Sequence, residues 1–231
     1  MMKSKKYLML FVAAGLVACA SDEPKTPVTQ TPDTEQETEK SDTANQEDTS
    51  DSELDENELA EFPEQIEETI EIEGMEETIV MERYHNSEAQ FLTYVPEDFV
   101  IEEQDSVEGE SYQFIVNYDG ERNDDINLEV FLFGDDVTEE PTLEDENSDF
   151  VERMQGMEEI DENQNLFDWS LREYHTEDET VHAMLGEHEG EYFLVTINSD
   201  PLYSEGFIPR VNKILDHFYW TETETYLMDR S

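Results

Sequence analysis

Regular alternation of apolar and polar positions starts near Ile66, with two short phrases that nearly repeat, Ile66 to Ile70 and Met75 to Ile79, and Gly74 between them. Each carries β-branched residues in alternation (Ile70 and Ile72; Ile79 and Val80) among glutamates. This pattern predicts strand, glycine turn and strand at a sheet edge. Further strands are expected at Gln90 to Tyr94, at Phe99 to Ile101 after a Pro96-Glu97-Asp98 turn, and from Ser111 to Tyr118. Asn117 to Gly120 reads as the next turn. From Ile126 to Phe133, Ile126, Leu128, Val130 and Leu132 alternate with Phe131 and Phe133 on the opposite side, the signature of a central strand covered on both faces.

After Pro141 the spacing changes. Phe150, Val151, Met154 and Met157 follow helical periodicity. Strands return at Phe167 to Leu171, Val181 to Leu185 and Tyr192 to Ile197, with a hairpin loop over Gly186 to Gly190. Phe207, Ile208, Val211, Ile214, Leu215 and Phe218 then form one apolar helical stripe, with Pro209 suited to a first turn. The aromatics Tyr192, Phe193, Phe207, Phe218, Tyr219 and Trp220 are expected to pack as core between this helix and the sheet. Strands, a helix, three strands and a helix predict an α+β domain: a mainly antiparallel sheet with two helices packed on it.

The first residues follow different rules. Lys3, Lys5 and Lys6 precede an uncharged run from Tyr7 to Ala18, and the sole cysteine, Cys19, closes Leu16-Val17-Ala18-Cys19. A basic start, a short apolar core and small residues at the cut describe a signal peptide. The run falls short of the roughly 20 residues that span a bilayer. From Ser21 to about Glu64 the chain is Ser, Thr, Gln, Asp, Glu and Pro, with too little apolar surface to offset chain entropy. It reads as a disordered acidic tether spanning roughly 40 Å. The expected organisation is therefore a signal peptide over 1–18, Cys19 and a linker over 19–64, an α+β domain over 65–222 and a polar tail over 223–231.

Leu16 to Cys19 resembles the lipobox of bacterial lipoproteins. That resemblance implies cleavage before Cys19, a diacylglycerol on its thiol and anchoring at the extracytoplasmic face of a cell membrane. The long tether and the lack of disulfides point to a Gram-positive source. From about Ala89 to Trp220, the element order, the Tyr94 to Phe99 opening and the Tyr192 to Phe218 strand–helix unit resemble the PsbP-like α/β/α sandwich. The stretch from Gly74 to Phe99 is also similar to small lipoprotein domains of Gram-positive spore formers.

Charge narrows the possible partners. The 231-residue chain has 63 Asp and Glu against 12 Lys and Arg, a formal net charge of -51. Such a surface repels nucleic acid and anionic headgroups. After Lys40 the only lysine is Lys213. An acid-rich, lysine-poor balance suits high external salt, where the Debye length shrinks from about 10 Å at 0.1 M to about 3 Å at 1 M.

Reactive motifs are sparse. The sequence has no Gly-x-Ser-x-Gly elbow, no P-loop and no dinucleotide fingerprint, and no cofactor is expected. His182 and His188 flank Gly186, with His175 in the preceding connection, an imidazole set chemically suited to zinc. Asp119, Asn123, Asp125 and Asn127 alternate oxygen ligands but lack the EF-hand order. The acidic loops Asp135-Asp136 and Asp161-Glu162-Asn163 offer no better spacing. The chain reads as a membrane-anchored lipoprotein whose domain binds an envelope protein or small ligand without catalysis. A cell-envelope hydrolase with a dispersed site and a transporter-associated solute-binding protein are the alternatives.

Salt adaptation is measurable directly. The melting temperature should be higher in about 2 M than in about 0.1 M NaCl, because screening relieves repulsion among carboxylates. An equal or lower value in the saltier buffer removes this expectation.

Overall fold

Alternation at the start of the domain produces the expected hairpin. β1 (Gln65–Ile72) and β2 (Met75–Asn86) pair antiparallel, Ile72 opposite Met75, across a two-residue turn. Glu73 and Gly74 both have positive φ, 51° and 77°. That is the turn whose twist matches a β-ribbon, and it favours glycine at its second position. The structure, a computed structural model, describes residues 59–134, 137–143 and 148–228. The chain divides into two units, 1–48 and 49–231, and the first lies outside the described residues.

The remaining strands are β3 (Phe91–Pro96), β4 (Phe99–Asp105), β5 (Gly109–Tyr118), β6 (Glu121–Phe133), β7 (Met157–Glu159), β8 (Arg172–Thr176), β9 (Val181–His188), β10 (Glu191–Asn198), β11 (Tyr219–Trp220) and β12 (Thr225–Tyr226). They form two antiparallel sheets. One is five-stranded in the order β1-β2-β3-β11-β12; the other is seven-stranded in the order β4-β5-β6-β10-β9-β8-β7. The chain changes sheet at Glu97-Asp98, where the wholly buried β3 ends and β4 begins.

This corrects the α+β expectation. Among the described residues the domain is a β-rich sandwich of twelve strands, not one sheet bearing two helices. The first hairpin is no appendage: with β3, β11 and β12 it forms a complete second sheet. The helical spacing after Phe150 yields only α1 (Asp149–Arg153), five residues capped by the Ser148 hydroxyl. Gly156, at φ 84°, ends the turn, and Met157 enters β7. The only long helix among the described residues is α2 (Ser204–Asp216).

Local corrections follow the same logic. Phe167 to Leu171 is a loop, and the strand starts at Arg172. β9 runs through Gly186 to His188, so the hairpin turn is only Glu189-Gly190. Gly186 is required there by packing, since a Cβ would lie 2.2 Å from the Phe193 ring. Pro209 is the sixth residue of α2, beyond the first turn. Beyond Trp220, Thr225 and Tyr226 pair with β11, and the buried Leu227 donates its N–H to the Phe218 carbonyl at 2.8 Å.

Sheet alternation separates two cores. Ile126, Leu128 and Val130 of β6 face the larger core, shared by both sheets and by Phe207, Val211, Ile214 and Leu215 of α2. Phe131 faces a smaller core with Phe150, Met154, Tyr174 and Leu194. β6 is thus covered on both faces, as its sequence pattern predicts. Each fully buried Phe, Leu or Ile contributes on the order of 2 kcal/mol.

Scarce cations collect where α2 meets the acidic hairpin. Arg210, 7% exposed, donates to Asp98 Oδ2 at 3.0 Å, Glu77 Oε1 at 3.2 Å and the Gly206 carbonyl at 2.8 Å. Lys213 Nζ and His217 Nε2 each lie 2.9 Å from a Glu68 oxygen. Burial alone raises the Glu68 pKa, but the hydrogen bonds and positive charges of Lys213 and His217 outweigh it and hold the carboxyl below its ordinary 4.5.

A lowered native pKa stabilises the fold fully above the unfolded value, and that stability fades as pH falls through the native one. Glu68→Gln should therefore be less stable than the wild type near neutral pH. The gap should close as pH falls from about 5 to about 3. Urea denaturation across that range that showed a constant gap would remove this role for Glu68.

Candidate functional site

The site is built where the outer strands of the larger sheet run beside α2. In β8, period-two alternation sends Glu173 and His175 to the same face, while Tyr174 enters the smaller core. In β9, His182 and Met184 share that face. His175 stands opposite His182, and Glu173 opposite Met184.

Glu173 is the only fully buried carboxylate among the described residues, at 0% exposure. Burying such a charge costs several kcal/mol unless donors surround it. Three donors do so here. The Phe167 N–H and the Ser170 hydroxyl reach Oε1 at 2.8 and 2.7 Å, and His182 Nε2 lies 2.9 Å from Oε2. A carboxylate accepts, so the pairing places a His182 proton on Nε2. Ser170 also folds the loop on itself, its N–H reaching the Phe167 carbonyl at 3.1 Å. One buried carboxylate thus fixes both an imidazole and the loop over 165–171.

That loop is a partition. Phe167 lines a cleft of about 650 Å³ beneath α2, with Leu166, Ile197 and Ile208 as apolar walls and His175, His182 and Asn212 as polar groups. Apolar walls with few polar anchors suit a small organic ligand. On the other side Trp169 stacks on Phe193 at 5.6 Å, and Phe193 meets Trp220 at 5.3 Å. His188 lies flat on Trp220 at 4.5 Å and 11°.

The order of bonding bears on chemistry. Nucleophile activation runs carboxylate, imidazole, hydroxyl. Here Ser170 bonds to Glu173 and Glu173 to His182, so the carboxylate stands in the middle. That order ties the hydroxyl to the carboxylate and not to the imidazole.

Of the expected ligands, His175 and His182 come together on one cleft. His188 lies six residues further along β9, roughly 20 Å at about 3.3 Å per residue. Its Nε2 is 3.0 Å from Thr223 Oγ1. Asp119 sits in the β5–β6 turn at φ 55°, and Asp125 lies in β6 with its N–H on Asn123 Oδ1 at 3.2 Å. Asn127 is bonded to Asn198 at 2.9 Å. Asp161 accepts the Asn163 N–H at 3.1 Å, capping a 3-10 turn. Among the described residues no group of three or more His, Cys, Asp or Glu is placed to hold a metal ion. Cys19 and Asp135-Asp136 lie outside the described residues.

Two residues escaped the sequence reading. Glu173 is hidden by 63 acids, although a strand phase set on Tyr174 places it beside His182. Trp169 was assigned to a strand and is instead a buried loop residue. No protein-family model matches the sequence, and no curated protein shows significant similarity to it.

Proposed function

We propose that this protein is a lipid-anchored extracytoplasmic lipoprotein. Its β-rich domain acts by binding, without catalysis, and its composition is adapted to high salt. The placement of the sole cysteine carries the reading: Cys19 follows an uncharged run and small residues behind a lysine-rich start. An acidic, Ser- and Thr-rich stretch separates that cysteine from the first strand, the spacing of a stalk.

The domain supplies what a binding module needs. Two clefts flank one loop, and a buried carboxylate holds that loop in place. The serine–carboxylate–imidazole order of the polar cluster favours holding a ligand over attacking it. The excess of carboxylates keeps such a surface hydrated and dispersed when salt screens it.

Cys19→Ser tests the anchor. The wild-type chain should incorporate labelled palmitate, lose residues 1–18 and fractionate with membranes. The variant should stay unlabelled and uncut. Normal palmitate labelling of the variant would contradict the anchor.

A further inference from the structure

We propose that His175 and His182 form a two-imidazole site for a divalent transition-metal ion in the cleft beneath α2. The inference rests on reading this domain as a binding module and names an ion for one of its clefts. It does not depend on the lipid anchor.

The first observation is placement. His175 and His182 are direct partners in the antiparallel pairing of β8 with β9, so both side chains leave the same face of the sheet. Opposite positions hold their Cβ atoms about 5 Å apart. Imidazoles rooted at that spacing reach one ion by side-chain rotation, at metal–nitrogen bonds of about 2.0–2.1 Å. Both rings line the cleft and both are half-buried, so solvent reaches them. The His182 side chain is 19% exposed.

The second observation is how each ring is held. His182 Nε2 lies 2.9 Å from Glu173 Oε2, and His175 Nδ1 lies 2.9 Å from the Thr176 carbonyl. A carboxylate and a carbonyl accept, so each of these nitrogens carries a proton. In the neutral rings the lone pairs then fall on Nδ1 of His182 and Nε2 of His175. A metal-ligating imidazole characteristically gives its other N–H to a carboxylate or a backbone carbonyl, which orients the ring and raises its basicity. Both acceptors of that kind are present here, one on each ring.

The third observation is charge and ligand type. The cleft lining includes Glu179 and no Lys or Arg, and a net charge of -51 draws cations toward the surface. Magnesium and calcium seek oxygen ligands, whereas imidazole suits zinc, copper and nickel. No group of three protein ligands stands together among the described residues. Water therefore completes the coordination shell, and positions stay open to a ligand lodged against the apolar walls.

Histidine-ring NMR of the full chain in detergent tests the site, because the chain has only five histidines. Zinc chloride is titrated at about pH 8, since a ligating imidazole must be neutral. About 10 mM magnesium is present throughout to occupy carboxylates. The His175 and His182 rings should shift together and saturably while His85, His188 and His217 stay in place. His182 should keep its proton on Nε2. His175→Gln, which leaves the Glu173 cluster intact, should weaken zinc binding at least about tenfold and abolish the His182 shift. His182→Gln should do the same, its amide still able to donate to Glu173. Shifts spread over the other histidines, a shift of one ring of the pair alone, or unchanged affinity in His175→Gln would overturn the site. So would no shift up to about 1 mM zinc. A parallel titration with benzyl alcohol, read at the Ile197 and Ile208 methyl groups, separates failure of the metal from failure of the cleft as a binding site.

Discussion

A single buried carboxylate organises the candidate site of this protein. Glu173 sits in a strand, fully enclosed, and three donors converge on it. The arrangement is sensitive to each partner, because removing a donor strands a buried charge at a cost of several kcal/mol. The loop over 165–171 is therefore tied down although it belongs to neither sheet. Its two aromatic residues face different clefts, Phe167 toward the one beneath α2 and Trp169 toward the one beside Trp220. The same carboxylate fixes the tautomer of His182.

Charge shapes the rest of the domain at longer range. A net charge of -51 works against compaction, and the fold answers by placing its cations deliberately. Arg210, Lys213 and His217 follow one another along α2 and its C-terminus and meet Glu77, Asp98 and Glu68 at the first sheet. Apolar contacts of α2 and these ion pairs close the same joint. Elsewhere, Arg122 and Arg172 each bridge two carboxylates at the surface. Such exposed pairs contribute little stability, but each relieves repulsion between neighbouring acids.

Much of the strand pattern was legible because period-two alternation is a local signal. The hairpin around Gly74, the two-sided β6 and the stripe of α2 followed from spacing alone. Sheet membership was not legible. Nothing local says that the chain changes sheet at Glu97-Asp98, or that β11 pairs with β3 across more than a hundred residues. Hence two sheets were read as one. The helical spacing from Phe150 to Met157 misled because Gly156 stops the helix after one turn and Met157 joins a sheet. The site was partly visible: His175 and His182 were singled out for metal chemistry and lie together on a cleft. Glu173 was invisible, since its distinction is burial and burial is a tertiary property.

The central claim is that Glu173 holds the loop, and amide hydrogen exchange at Phe167 tests it most directly. If its N–H donates to the buried carboxylate, that amide should exchange at least about a hundredfold more slowly than an open loop amide. The protection should vanish in Glu173→Ala while β10 amides stay protected. Rapid exchange at Phe167 in the wild-type protein, or equal protection in the variant, would contradict the account.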